Sequence, residues 1–236
     1  MTVVWNASGV ESSLHAWTAS ELIHGKHSSA HEKESETGRT SSWQGPVLSE
    51  FIKDSMKELP LAQQAMVDLV VFKNRSGASV AIPRWLLTRY PVRLATVAGA
   101  AQPSFQVVLP WGSKPGMHKE NLPLKTYGIT DVVRVEFSSY DQAYHPLYLH
   151  KRNDPVAMKG EKIFLQNCTS CHANSAPKNV SITDLIADQR TRQLASQGHP
   201  VIPDAPKLSD SEARALTAYL DAYRSENPSS PVSAKN

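Results

Sequence analysis

The chain has 236 residues, 40% of them hydrophobic, with 25 Lys and Arg against 22 Asp and Glu and a formal net charge of +3. That near balance argues against a nucleic-acid-binding protein, which would concentrate basic charge on one surface. No apolar run is long enough to span a bilayer, and the length suits one large and one small domain.

The opening residues, MTVVWNASGVESS, lack the basic and apolar regions of a signal peptide. The stretch TASELIHG predicts a short helix with Thr18 and Glu21 as a capping box. His24, His27 and His31 follow in HGKHSSAHEKESE. They are numerous enough for a metal site, but the Gly, Ser, Lys and Glu around them favour surface histidines on a solvated loop. GPVLSEFIKDSM predicts a second helix, with Pro46 near its start. Strands are expected at Val67 to Phe72, Ser79 to Ile82, Phe105 to Leu109 and Val132 to Phe137, which are rich in Val, Ile and Phe and bounded by turn residues. Trp5, Trp17, Trp43 and Trp85 are read as packing residues. Trp111, Lys114, His118, Lys119 and Lys125 make a cationic, aromatic loop; an anionic group or partner would suit it, but a solvated loop is the preferred reading. Neither a G-x-x-x-x-G-K-[ST] phosphate loop nor a G-x-S-x-G elbow occurs. Residues 1–145 therefore read as an α+β domain with a mixed or mostly antiparallel sheet.

YDQAYHPLYLHKRNDPVA reads as the connection to a second domain at 146–227, and residues 228–236 as a disordered tail. Val156, Ile163 and Phe164 recur at helical spacing in DPVAMKGEKIFLQN. This helix leads into QNCTSCH, which holds the two cysteines of the chain, Cys168 and Cys171, with His172 directly after. Two thiols at this spacing serve a redox disulfide, half a zinc site, or covalent haem. A thioredoxin-like dithiol needs a βαβ context with the first Cys at a helix start, whereas here the helix precedes it. A structural zinc ion needs two further ligands, and no further Cys exists. Haem needs two thiols for its vinyl groups and a neighbouring imidazole, so haem is the favoured reading. Downstream, Ser209 and Glu212 form a second capping box, and Leu216, Tyr219, Leu220 and Tyr223 line one apolar helix face.

From about residue 154 to 224 these segments resemble a small all-α class I cytochrome c: KGEKIFLQNCTSCH is similar to that family's first helix and haem site, and KLSDSEARALTAYLDAYR to its last helix. The resemblance implies one covalent haem c on Cys168 and Cys171, with His172 on the iron. It also implies a crossing of first and last helices at a small residue against an aromatic one, which Gly160 and Tyr219 fit. The family's usual second ligand is a Met followed by Pro, but no Met follows the haem motif, and His199 stands before Pro200 instead. His172 and His199 are therefore the expected metal ligands; Lys178, Lys207 or an open site are the alternatives. Two imidazoles set a lower potential than His and Met and leave no room for substrate. The implied function is a periplasmic monohaem electron carrier serving a redox partner such as a dehydrogenase or oxidoreductase. Such proteins mature outside the cytoplasmic membrane, so the chain is read as a mature form or a gene model lacking its start.

Residues 14–139 carry a looser resemblance to the molybdopterin-binding fold of the sulfite oxidase group. Trp43, Gly45 and Leu48 stand where that family has Trp-x-Gly-x-x-Leu, and Pro110 and Trp111 where it has a strand ending in Pro-Trp. That family's molybdenum is held by a cysteine, and both cysteines here belong to the haem motif. The resemblance thus implies a degenerate docking or regulatory module without molybdenum. A haem enzyme, a haem sensor with a displaceable distal ligand, or a molybdopterin-type oxidoreductase subunit remain as alternatives, and no catalytic residue is assigned.

Overall fold

The computed structural model describes residues 1–7, 10–24, 30–33, 39–120, 122–169 and 208–227. The chain divides into two compact units, Met1–Glu120 with Leu124–Ala143, and Asn121–Pro123 with Tyr144–Asn236.

The larger unit is built on two sheets. Strands β1 (Thr2–Ala7) and β2 (Val10–Ala16) open the chain, followed by helix α1 (Ala19–His24), β3 (Ala30–Lys33), β4 (Thr40–Gln44), α2 (Leu48–Ser55) and α3 (Leu61–Met66). Next come β5 (Leu69–Asn74), β6 (Ser79–Pro83), α4 (Arg84–Arg89), β7 (Arg93–Val97), β8 (Gln106–Val108) and β9 (Val132–Ser138). The first sheet has the order β2-β1-β9-β5-β6 and the second β3-β4-β7-β8. β1 and β9 are parallel, while their outer neighbours pair antiparallel. The sheet is mixed, as the sequence implies.

Register explains the core. Val3, Val135, Phe72 and Val80 lie in one cross-strand row, and Trp5, Phe137, Val70 and Ile82 in the next. All eight are buried, so two rows of branched and aromatic side chains make one apolar face. The other face of β9 carries Glu136, a buried carboxylate that would be costly without partners. Lys73 Nζ at 2.7 Å and Arg134 Nε at 2.6 Å supply them, and Arg134 also reaches Glu11.

Several expectations shift. Gly and Ser around β1 and β2 and the polar run in β3 and β4 hid four strands, and β7 and the short helices α3 and α4 were not foreseen either. The strand expected from Phe105 to Leu109 shrinks to Gln106–Val108. Pro46 lies outside α2, whose N-cap is Val47; Leu94 N–H donates to the Pro46 carbonyl at 3.1 Å, so the residue borders a sheet. Trp5 and Trp43 are buried, but Trp85 is 36% exposed on α4 and is not a core residue.

The short helix α5 (Tyr140–Tyr144) ends the larger unit; in the smaller one a 3-10 turn at His145–Leu147 precedes helices α6 (Pro155–Asn167) and α7 (Asp210–Glu226), which pack together. Asp154 caps α6, accepting from Val156 N–H at 2.8 Å, with Pro155 at the first position where its missing N–H costs nothing. Ser209 and Glu212 form the foreseen capping box of α7: Glu212 N–H donates to Ser209 Oγ at 3.3 Å and Ser209 N–H to Glu212 Oε2 at 2.8 Å. Thr18 and Glu21 do the same for α1, at 3.2 and 2.7 Å.

Candidate haem site

The two helices approach closely because position 160 has no side chain. A Cβ on Gly160 would lie 1.9 Å from the Ala215 carbonyl oxygen and 2.8 Å from Tyr219 Cβ. Around this point Ala157, Phe164, Ala215, Leu216, Tyr219 and Leu220 are buried, and the rings of Phe164 and Tyr219 lie 5.2 Å apart. The crossing expected from the resemblance, Gly160 against Tyr219, is thus present.

α6 delivers Cys168. This residue is the helix C-cap, still in right-handed geometry, and its N–H donates to the Phe164 carbonyl at 2.9 Å. Thr169 Oγ1 donates to the Leu165 carbonyl at 2.5 Å and closes the last turn, satisfying a carbonyl that a helix end otherwise leaves orphaned. Cys171, His172 and His199 lie outside the described residues, as do Lys178 and Lys207. The structure therefore positions the first thiol of the motif. A helix that ends on the first of two closely spaced thiols, with an imidazole following, supplies the donor set that covalent haem requires.

The segment read as a connection is instead a strap clamped onto both helices. Tyr219 Oη donates to the Leu147 carbonyl at 2.6 Å and Tyr223 Oη to the Pro146 carbonyl at 2.8 Å. Burial pushes the Tyr219 phenol far up, so it acts as a fixed donor. Glu161, 2% exposed, accepts from Leu149 N–H at 2.8 Å and pairs with Arg152 at 2.8 Å. Glu226 accepts from His150 N–H at 2.7 Å and Lys151 N–H at 2.8 Å. Tyr144, its phenol raised by burial, shares a hydrogen bond with the Thr169 side chain, so the strap reaches the residue beside Cys168. Sequence reading missed this set, although the tyrosines around HPLYL and the acidic residues on both helices were the available signal.

The other candidates resolve differently. His24 ends α1, and His31 on β3 lies with Nε2 2.9 Å from Ser42 Oγ; His27 lies outside the described residues, among which no three His, Cys, Asp or Glu are grouped to hold a metal. In the cationic loop, Trp111 packs on His118 with ring centroids 4.8 Å apart. Buried Glu32, which sequence reading passed over, anchors this loop by accepting from Gly112 N–H at 3.2 Å, Ser113 N–H at 3.3 Å and Ser113 Oγ. Trp43 packs with Ala95 and Val108 and donates to the Glu32 carbonyl at 3.3 Å. A Cβ on Gly45 would lie 2.2 Å from the Leu94 carbonyl oxygen, and the Gly45 carbonyl accepts from buried Arg93 at 3.1 Å. Trp43 and Gly45 therefore hold β4 against β7.

Residues 155–220 match the family model described as Cytochrome C oxidase, cbb3-type, subunit III. No curated protein matches the chain. The match supports a cytochrome c domain over these residues, and such a domain implies haem c, haem-based electron transfer and redox partners. Among the described residues, no helix is long and apolar enough to cross a membrane.

Proposed function

We propose that this protein is a monohaem c-type cytochrome that passes single electrons between redox partners outside the cytoplasmic membrane, in the periplasm. The observation that carries this reading is Cys168, held at the end of α6 by the Phe164 carbonyl, with Cys171 and His172 next in sequence. Cys168 and Cys171 form the two thioethers, and His172 and His199 bind the iron. The haem so held supplies a reversible one-electron couple. Around it the chain contributes a fixed helix crossing at Gly160 and a strap that closes the back of that crossing.

The larger unit serves as a docking or regulatory module of degenerate sulfite-oxidase type, without molybdenum. Supporting its structural rather than catalytic use, Trp43 and Gly45 are both spent on packing β4 against β7.

Thioether bonds survive denaturation, so haem stays with the polypeptide in acid-organic extraction, and Cys168→Ala combined with Cys171→Ala gives a haem-free chain. Extraction of all haem from the wild-type polypeptide would overturn the proposal.

A further inference from the structure

Glu161 is a carboxylate where a small helical domain has little tolerance for one. It sits on α6, its side chain 3% exposed, and its counter-charge is not on either helix but on the strap: Arg152, 45% exposed, at 2.8 Å. Arg152 is itself held over the Tyr148 ring at 5.5 Å. Seven residues separate Glu161 from Cys168. At about 100° and ~1.5 Å per residue, that is two turns less about 20°, so both project from the same face of α6 roughly 10 Å apart.

We propose that the Glu161–Arg152 pair sets the reduction potential of the haem domain, with the strap's Arg152 cancelling a buried negative charge midway along the face of α6 that leads to Cys168. This rests on the haem reading of Cys168. The physical basis is simple. One-electron reduction from ferric to ferrous iron, by an external single-electron donor, removes one positive charge from the site. An uncancelled negative charge nearby favours the ferric state, and its removal favours the ferrous state. At an effective dielectric constant of about 20, a unit charge roughly 10–15 Å from the iron would be worth about a five- to tenfold change in the oxidised-to-reduced ratio, or about 40–60 mV for a one-electron couple. The strap thereby does more than brace the helices, because its attachment fixes the charge that the iron experiences.

The test is spectroelectrochemical titration of the full haem-loaded chain at about pH 8, where carboxylates are ionised. Arg152→Gln is expected to raise the oxidised-to-reduced ratio at fixed potential by roughly five- to tenfold. Glu161→Gln should lower it several-fold, the effect being smaller because the Arg152 charge left behind is partly screened by solvent. The double variant should return near wild type, and Arg152→Lys should stay there. Shifts of the same sign in both single variants, as from a merely loosened site, would overturn the proposal. So would unchanged ratios in haem-loaded protein. A wild-type chain that binds no covalent haem removes the reading beneath it as well, so the two failures are distinguishable.

Discussion

Replacing Gly160 with Ala tests the helix crossing directly. The added Cβ would stand 1.9 Å from the Ala215 carbonyl oxygen, a backbone atom that cannot swing aside. Restoring an ordinary separation requires α6 and α7 to part by about 1.5 Å, and a gap of that size forfeits at least about half the dispersion energy of each facing atom pair. Overpacking against backbone lies near the top of the usual range, ~3 kcal/mol. Ala is the better helix former by ~1 kcal/mol, which offsets part of this. Parting the helices also strains the Tyr219 bond to Leu147, at a further ~1 kcal/mol. The net expectation is destabilisation by about 2–3 kcal/mol. Urea denaturation followed by haem absorbance reads this unit, while Trp5, Trp17, Trp43, Trp85 and Trp111 all lie in the larger one, so their fluorescence is an internal control. A Gly160→Ala protein as stable as wild type, or more stable by the propensity gain, would refute the reasoning.

Tyr219→Phe keeps the ring packing but orphans the Leu147 carbonyl, and should cost the smaller unit about 1–2 kcal/mol in the same assay with helicity unchanged. For Glu226, burial raises the carboxyl pKa but the Lys151 and His150 amides outweigh it, leaving the value lowered. A depressed folded-state pKa contributes stability that is present above the usual carboxylate value and lost as pH falls through the lowered one. The urea midpoint should therefore drop on acidification below about pH 4.3, and Glu226→Gln should flatten that limb; an unaltered acid limb would count against the strap contact. His199→Met should raise the haem potential, and His199→Ala should convert low-spin ferric protein to a form that binds carbon monoxide when reduced. A low-spin spectrum untouched by His199→Ala would direct attention to Lys207 and Lys178.

Local chemistry was legible and long-range pairing was not. Both capping boxes could be read because three residues suffice to define each, and the apolar runs around Val70 and Val135 announced strands without any partner in view. Gly160 opposite Tyr219 came from resemblance and the crossing bears it out. By contrast, β1 and β2 contain Asn6, Ser12 and Ser13, poor strand formers that are held in place by pairing rather than by propensity. The strap, for which the tyrosines and acidic residues were only a weak signal, was missed for a related reason. Its cohesion comes from backbone amides of residues 149–151 meeting Glu161 and Glu226, and backbone amides carry no sequence signature. Trp85 misled because an aromatic residue announces packing area but not the side of a short helix on which it falls.

The parallel pair of β1 and β9 orders the events of folding. Val3 lies beside Val135, so the interior of the first sheet cannot close until some 130 further residues have been made. At ~5–20 residues per second, the β1–β2 hairpin waits roughly 6–26 s with one edge open to other chains. Pairing at such separation carries a large loop-closure cost, so this step should be among the slow ones. In the helical unit the crossing partners Gly160 and Ala215 stand 55 positions apart, a shorter wait. Chains not yet folded should therefore be most vulnerable to intermolecular pairing through β1, during the interval before β9 reaches it.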